Sequence, residues 1–149
     1  SHFLILFPDD LIIKKNCSKE MISLHKKFKC SIMASIKVKR QDVSRWGVFS
    51  IKKKLNGRNF IINDVIEKPN QKNAPSNNAV IGRYILPKDI FKKLEMQKKG
   101  VGGEIHITDS IRELIKSDYN FIGHNFAGKY LDCGTMKGYI NSSLEISKL

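Results

Sequence analysis

The sequence has few cysteines, and their positions exclude the two common roles of cysteine clusters. Cys17, Cys30 and Cys133 are too few and too scattered along 149 residues to form a disulfide framework. No two of them have CxxC spacing, and no histidine stands beside them at the spacing of a zinc site. We therefore expect three reduced thiols without a metal or redox role.

Long apolar segments are also absent. The apolar run at residues 3–7 ends at Pro8-Asp9-Asp10, whereas a membrane-spanning helix needs about 20 apolar residues. The same run lacks the basic start, the longer apolar stretch and the small-residue cleavage site of a signal peptide. The sequence thus favours a cytoplasmic location without membrane contact.

Arginine is scarce although the chain is strongly basic. Of the 27 basic residues, 22 are lysine and five are arginine, and the net charge is +13. Arginine reads guanine and phosphate with two parallel hydrogen bonds, so a nucleic-acid surface would be expected to use it. The lysines are spread along the whole chain, which is typical of a solvated surface. Nucleic acid is therefore an unlikely partner, and a basic nucleic-acid-binding protein is the least favoured alternative.

The alternation of apolar and polar segments predicts a single α/β domain over residues 1–149, with a mixed, mainly parallel sheet and one inserted hairpin. Residues 3–7 have the pattern of a buried parallel strand, and Asn56-Gly57 between apolar segments predicts the hairpin. Pro87 predicts the start of a helix that reaches Lys99, and Ser110 with Glu113 has capping-box spacing. Further strands are predicted at residues 31–38, 79–86, 121–127 and 130–131, further helices at 17–28, 109–116 and from 136, and a loop at 69–78.

Polar residues follow several of these strands, where open α/β sheets bind their ligands. They are Asp9 and Asp10, then Glu67 and Lys68, and finally Asp132. An aspartate after a strand more often caps a turn. Two aspartates converging on one crevice would instead suit Mg²⁺, which prefers oxygen ligands. Spacing alone leaves both interpretations open.

A series of short motifs follows in order along the chain. It comprises Leu6-Phe7-Pro8-Asp9-Asp10-Leu11-Ile12, Asp42-Val43-Ser44-Arg45-Trp46-Gly47-Val48, Ile66-Glu67-Lys68-Pro69, Ala74-Pro75-Ser76-Asn77, Gly82-Arg83-Tyr84, Gly102-Gly103-Glu104-Ile105, Thr108-Asp109, Asp132-Cys133-Gly134 and Gly138-Tyr139. Taken together, the series resembles the bacterial UTP–glucose-1-phosphate uridylyltransferases, a branch of the sugar-nucleotide pyrophosphorylases. The resemblance implies the C-terminal part of a Rossmann-like, GT-A-like nucleotidyltransferase fold.

The resemblance also implies the charged groups of the site. Asp9 and Asp132 would be the Mg²⁺ carboxylates. Lys68 would be the catalytic residue, because it would bind and neutralise the phosphate of the sugar. Glu104 would belong to the substrate site, and Asp109 would help to orient it. A surface lysine and two structural acidic residues are the simpler alternatives for the last three.

The remaining implied residues contact the sugar. Glu67 and the backbone of Gly47 would hold glucose hydroxyls, and Gly82 would let the backbone approach the sugar closely, since it has no side chain. Two packing glycines are the alternative. His106 stands where the family is expected to have another polar residue, and we assign it a structural role.

The implied reaction joins UTP and glucose 1-phosphate to give UDP-glucose and pyrophosphate, with Mg²⁺ as the cofactor. The family's front part, with a Gly-Thr-Arg loop after the first strand, is not found in these residues. We therefore expect a truncated product or one half of a split enzyme that is inactive alone. Its partner would be a separate N-terminal half or a further copy of the chain. The alternative is a non-catalytic sugar-phosphate-binding module or a degenerate remnant.

Overall fold

The computed structural model describes residues 1–55 and 57–149, and its largest element is a six-stranded mixed sheet. The strands and helices are, in chain order, β1 His2–Leu6, β2 Asp10–Ile13, α1 Cys17–Phe28, β3 Ser31–Lys37, β4 Gly47–Lys54, β5 Asn59–Glu67, β6 Asn78–Pro87, α2 Ile90–Glu95, α3 Ile107–Lys116, β7 Phe121–Asn125, β8 Lys129–Asp132 and α4 Met136–Ile146. Two short 3₁₀ helices lie at Arg40–Arg45 and Val101–Gly103.

The sheet has the strand order β1-β6-β3-β7-β5-β4, with one further pairing between β4 and β6. The predicted mixed α/β sheet is confirmed, but the expectation of mainly parallel strands is wrong. Within the described residues β3 and β7 form the one parallel pair, and the other pairings are antiparallel. The reason is that the β4–β5 hairpin and the returning strand β6 both insert antiparallel neighbours around this parallel pair.

The first strand also differs from its prediction as a buried parallel strand. β1 lies at one edge of the sheet, pairs antiparallel with β6 from His2 to Leu6, and is only partly buried. Its apolar run reflects packing on both faces of the sheet, because Phe3 and Leu4 join opposite core clusters. Continuous apolar sequence therefore does not require a parallel neighbour.

Two hydrophobic layers cover the central sheet. On one face α1 packs Cys17 and Met21 against β3, β6 and β7, and on the other face α2 and α3 contribute the buried residues Ile90, Ile111 and Leu114. α1 is well delimited, because the Asn16 side chain caps its start by accepting a hydrogen bond from the Lys19 amide at 2.9 Å. The helix predicted at residues 17–28 is confirmed.

The helix predicted from Pro87 to Lys99 is wrong in extent. Pro87 is the last residue of β6, and α2 extends only from Ile90 to Glu95. The capping box at Ser110 is also wrong. α3 begins earlier, at Ile107, and the Ser110 hydroxyl donates to the side chain of Gln97 instead.

The predicted hairpin is present as β4 and β5, whose closing hydrogen bond joins the Leu55 amide to the Asn59 carbonyl at 2.9 Å. Gly57 has a positive φ of 71°, as the turn prediction requires, whereas Asn56 lies outside the described residues. Among the described helices, none combines the length and the apolar character that crossing a membrane requires.

A small second sheet pairs β2 with β8 and brings two acidic segments together. Its register sets Asp10 opposite Asp132, although 122 positions separate them in the sequence. The Cys133 amide donates to the Asp9 carbonyl at 2.8 Å, which extends this pairing. The two acidic segments predicted from sequence therefore meet in the fold.

Candidate active site

A cavity of about 370 Å³ opens beside the end of β1, between β4, β5, β6 and the start of α3. Its walls are both polar and aromatic, as expected for a site that binds a small polar ligand. The lining residues are Phe7, Asp10, Arg45, Trp46, Gly47, Glu67, Val80, Ile81, Gly82, Tyr84, Ile105, His106, Ile107 and Thr108.

Three of the sugar-contact residues predicted from sequence meet in this cavity. Gly47 is the first residue of β4, Glu67 is the last residue of β5, and the strand register sets them opposite each other. Gly82 approaches from β6. Three strands from distant parts of the sequence thus bring these residues together.

The Glu67 carboxylate is largely buried, with 11% of its side chain exposed, and it is held on one side only. The Thr108 hydroxyl donates to Glu67 Oε2 at 2.5 Å. A Cβ on Gly47 would lie 3.0 Å from the same Oε2, so a side chain at that position would crowd the carboxylate. Oε1 has no such close donor among the described residues. This arrangement presents a fixed acceptor to the cavity.

Gly82 is required by its neighbours. A Cβ at this position would lie 2.4 Å from the Phe7 side chain and 2.6 Å from Asp10 Oδ2. The Gly82 amide donates to that same oxygen of Asp10, and its carbonyl accepts a hydrogen bond from the Phe7 amide at 2.8 Å. The glycine therefore lets β6 close tightly on the segment that follows β1.

Asp10 is buried, and both of its carboxylate oxygens have partners. Oδ2 accepts from the Gly82 amide, and Oδ1 accepts from the Tyr130 hydroxyl. Burial, followed by this hydrogen bond to Asp10, raises the pKa of Tyr130 above its usual range, so the phenol stays a donor. These contacts fix the Pro-Asp-Asp turn. They involve Asp10 and not the neighbouring Asp9, whose carboxylate could therefore bind a ligand.

The two predicted metal ligands, Asp9 and Asp132, lie on either side of Gly134. A Cβ on Gly134 would lie 3.0 Å from Asp9 Oδ2 and 3.3 Å from Asp132 Oδ1. No group of three or more His, Cys, Asp or Glu side chains in residues 1–55 and 57–149 is arranged to hold a metal. Two neighbouring carboxylates still fit Mg²⁺, which usually takes one or two protein carboxylates and completes its shell with water and phosphate oxygens.

Arg45 lies between Asp132 and the cavity and was not predicted as a site residue. Its Nη2 lies 3.6 Å from Asp132 Oδ2, and the same side chain lines the cavity and stacks near Trp46. The guanidinium therefore stands beside the carboxylate pair as a counter-ion. One signal could have identified it, because Arg45 belongs to the motif that contains Gly47.

Lys68 and Glu104 lie outside the cavity lining, at the side where Ile105 and His106 form its wall. Lys68 Nζ is 3.8 Å from Glu104 Oε2, and 67% of the Glu104 side chain is exposed. The backbone of Lys68 has a left-handed φ of 44°, and its amide donates to the Trp46 carbonyl at 3.0 Å. Conformations of this kind are uncommon outside glycine and often occur at functional sites. The lysine side chain is thus an exposed cation near the cavity, paired with an exposed acid.

Thr108 contacts Glu67, whereas the sequence interpretation gave an orienting role to Asp109. Asp109 does not line the cavity. Instead it packs near Gly100, where an added Cβ would lie 2.5 Å from Asp109 Oδ2. Successive residues of a helix point about 100° apart, so the first turn of α3 sends these two side chains to different surroundings. The residue at which α3 begins determines which of the two side chains faces Glu67. The sequence-based prediction placed that start at residue 109 instead of Ile107.

The chain matches a known protein family over nearly its whole length. The sequence profile of the family described as nucleotidyl transferase matches residues 1–148. This chain belongs to that family. The polar cavity and the two carboxylates beside it therefore lie in a nucleotidyltransferase fold.

Several similar proteins are UTP–glucose-1-phosphate uridylyltransferases, the group that the motif series resembles. The chain is 37% identical to the UTP–glucose-1-phosphate uridylyltransferase of Pseudomonas aeruginosa strain PAO1 over 144 residues, which are 95% of this chain and 51% of the relative. It is 35% identical to the enzyme of the same name from Komagataeibacter xylinus, covering 89% of this chain and 46% of the relative. The chain thus spans about half the length of the curated relatives it matches.

Solved structures agree with this assignment. A crystal structure of UDP-glucose pyrophosphorylase complexed with UDP-glucose has a TM-score of 0.91 and 43% identity, over 99% of this chain and 56% of the other. A UTP-bound enzyme from Acinetobacter baumannii has a TM-score of 0.81 and 28% identity, over 98% of this chain and 50% of the other. The nucleotidyltransferase fold expected from the resemblance is confirmed.

Proposed function

We propose that this chain supplies the sugar-phosphate and magnesium side of a UTP–glucose-1-phosphate uridylyltransferase. The reaction joins glucose 1-phosphate to the α-phosphorus of UTP and releases pyrophosphate. One observation carries the proposal: Gly47, Glu67 and Gly82 converge on a single cavity beside the Asp9 and Asp132 carboxylates. Relatives that bear this name, and a structure containing UDP-glucose, support it.

The sugar would be held by the buried wall of the cavity. Glu67 would accept hydrogen bonds from glucose hydroxyls, and Thr108 keeps the carboxylate oriented for them. A side chain at Gly47 would crowd Glu67 and Thr108. Gly47 and Gly82 both line the cavity, and because neither has a side chain, the backbone could lie close to the sugar. The fixed polar groups of the pocket would thus align the sugar phosphate with UTP. Alignment is a major source of rate enhancement when two bound reactants must meet.

The phosphates would be met by cations at the open side. Lys68, now paired with the exposed Glu104, would turn to the attacking phosphate and neutralise it. Arg45 is placed to share that role, because it lines the cavity and stands beside Asp132. Both reactants are anions, so positive charge on this side lowers their mutual repulsion.

Asp9 and Asp132 would hold Mg²⁺ through their oxygens. A bound Mg²⁺ would offset the charge of the triphosphate and help to orient it. Asp10 would not serve as a ligand, because Gly82 and Tyr130 already occupy its two oxygens. Its part is to hold the turn that presents Asp9.

Calorimetry with glucose 1-phosphate and UDP-glucose, with Mg²⁺ present, tests the proposal. We expect saturable binding that is lost in Glu67→Ala, because the buried acceptor for the hydroxyls is removed. Glu113→Ala is the matched control, since Glu113 is an exposed carboxylate paired with Lys116 and does not line the cavity. Normal binding by Glu67→Ala, or no binding by the native chain, would refute the sugar site.

Residues 1–149 on their own are expected to make no UDP-glucose, because they contain no Gly-Thr-Arg loop to hold UTP. A coupled assay for pyrophosphate, with the double variant Asp9→Ala, Asp132→Ala as background, measures this. Turnover above that background would contradict the expectation and favour a complete enzyme, alone or as a homo-oligomer. Binding without turnover would agree with a partner half, or with a sugar-phosphate-binding module. The cytoplasm remains the proposed location.

A further inference from the structure

His106 lies in the wall of the cavity, and its imidazole ring does not cap the neighbouring helix. It is the residue before α3, and its side chain makes no hydrogen bond to the amides of the helix. The ring instead turns back towards β5 and the Val101–Gly103 turn. Only 13% of the side chain is exposed. A nearly buried histidine beside a polar cavity needs a partner for each ring nitrogen.

One ring nitrogen, Nε2, has a hydrogen-bond partner within the chain, and it also lies 3.6 Å from the exposed Glu104 Oε2. His106 Nε2 lies 2.8 Å from the Val101 carbonyl oxygen. A carbonyl oxygen can only accept, so Nε2 carries the proton and donates it. In the neutral ring the other nitrogen, Nδ1, is then an acceptor. This assignment follows from the chemistry of the partner.

The other ring nitrogen faces Glu67. His106 Nδ1 is 3.8 Å from Glu67 Oε1, which is too long for a hydrogen bond. Among residues 1–55 and 57–149, no side chain or amide donates a hydrogen bond to Nδ1. With a neutral ring, two acceptors therefore face the same part of the cavity wall, and neither has a donor there, because Thr108 donates to the opposite oxygen of Glu67.

We propose that His106 is a specificity-determining residue of the sugar site, whose Nδ1 accepts a hydrogen bond from a hydroxyl of the bound sugar phosphate beside Glu67. Neighbouring hydroxyls of a hexose are donors at short separation, which is what two adjacent acceptors can bind. The inference rests on the proposed function, since it deepens the same sugar site. It replaces the structural role assigned to this residue from sequence.

Two substitutions separate the sugar contact from a structural contact. His106→Gln carries an amide donor that can reach the Val101 carbonyl, but it removes the Nδ1 acceptor. His106→Asn carries an oxygen near the position of Nδ1, but it is too short to reach Val101. A sugar contact predicts weak binding by the Gln variant and rescue by the Asn variant. A purely structural role predicts the reverse order.

The experiment is calorimetry of the native chain and both variants with glucose 1-phosphate and with its monodeoxy analogues, each lacking one hydroxyl. We expect His106→Gln to bind glucose 1-phosphate roughly 3- to 10-fold more weakly, the net value of one hydrogen bond. For one analogue the native chain should show the same loss, and His106→Gln should show no further loss. Circular dichroism and thermal melting confirm that the variants fold.

The outcomes distinguish this inference from the proposed function. If His106→Gln binds normally, or loses affinity equally for every analogue, His106 does not contact a hydroxyl, while sensitivity to Glu67→Ala would still support the proposed sugar site. If the native chain binds no glucose 1-phosphate, or Glu67→Ala binds it normally, the proposed function fails and this role fails with it.

Discussion

Asp10 and Glu67 are carboxylates in the wall of the same cavity, and they differ in how the chain satisfies them. Asp10 accepts from the Gly82 amide at one oxygen and from the Tyr130 hydroxyl at the other. Glu67 accepts from Thr108 at one oxygen, and its other oxygen faces the cavity. The number of internal donors therefore separates a carboxylate that holds the fold together from one that is available to a ligand.

The same contrast extends to the groups around each carboxylate, giving a structural side and a ligand side. On the structural side Gly82 and Tyr130 surround Asp10, and on the ligand side Gly47 and Thr108 surround Glu67. Each side thus has one acid, one glycine and one hydroxyl donor. Matched substitutions on the structural side should mainly lower stability, and those on the ligand side should mainly weaken binding, while Gly82 also lines the cavity proposed for the sugar.

The largest effect is expected for the acids. Asp10→Ala should lower the free energy of unfolding by about 3 kcal/mol or more, because it leaves two buried donors unpaired and each bond to a charged group contributes about 1.5–3 kcal/mol. Glu67→Ala should cost less stability, because only Thr108 loses a hydrogen-bond partner, and should abolish most of the sugar affinity. Urea unfolding and calorimetry measure the two quantities. Equal loss of stability in both variants would break the comparison.

Substitutions of the two glycines should have the next largest effects after those of the acids. Gly82→Ala places a Cβ 2.4 Å from Phe7 and 2.6 Å from Asp10 Oδ2, so the turn after β1 must move. We expect about 1–3 kcal/mol of destabilisation, the usual cost of overpacking. Gly47→Ala meets Glu67 Oε2 and Thr108 Cγ2 at 3.0 Å, a milder approach. It should lower sugar affinity more than stability. A Gly47 variant that unfolds more readily than the Gly82 variant would contradict this order.

The sequence predicted which residues line the proposed ligand side, but it did not predict the contacts that support them. Glu67 and Gly47 were predicted as site residues by resemblance, and their place at strand ends is set by the β4–β5 hairpin, whose turn is recognisable in the chain. Thr108 and Tyr130 were missed, because their contacts join segments 41 and 120 residues apart. Such pairs depend on where α3 starts and on how β8 pairs with β2, and local patterns do not fix either.

Strand direction was missed for a related reason. The apolar run of residues 3–7 has the composition of a buried parallel strand, but it forms an antiparallel edge because β6 returns beside it. Composition reports how many faces of a strand are covered, whereas direction depends on the connection that brings its neighbour. The fold family was nevertheless predictable, because a series of short motifs in fixed order carries information that no single segment has.

The hydroxyl donors should show the smallest effects, and they test the comparison most sharply because each change removes one atom or replaces one group. Tyr130→Phe should cost about 1–2 kcal/mol of stability, since Asp10 loses a buried donor, and should leave sugar binding nearly intact. Thr108→Val should cost less stability, because water in the cavity can replace the donor to Glu67, and should weaken sugar binding. Unfolding and calorimetry on both variants give the four values. Weakened sugar binding in Tyr130→Phe with normal stability would contradict the division into two sides.

Tyr130 also gives the structural side a dependence on pH. Burial and the hydrogen bond to Asp10 raise its pKa in the folded chain above the value of about 10 in the unfolded chain. The stability this phenol contributes is therefore complete below pH 10 or so and is lost as the pH rises above it, because only the unfolded chain then releases the proton. Tyr84 is buried with a raised pKa as well, so Tyr130→Phe should remove part of the alkaline loss and Thr108→Val none of it. Unfolding midpoints measured from neutral to strongly alkaline pH would show this, and identical slopes in the native chain and Tyr130→Phe would exclude the role of the phenol.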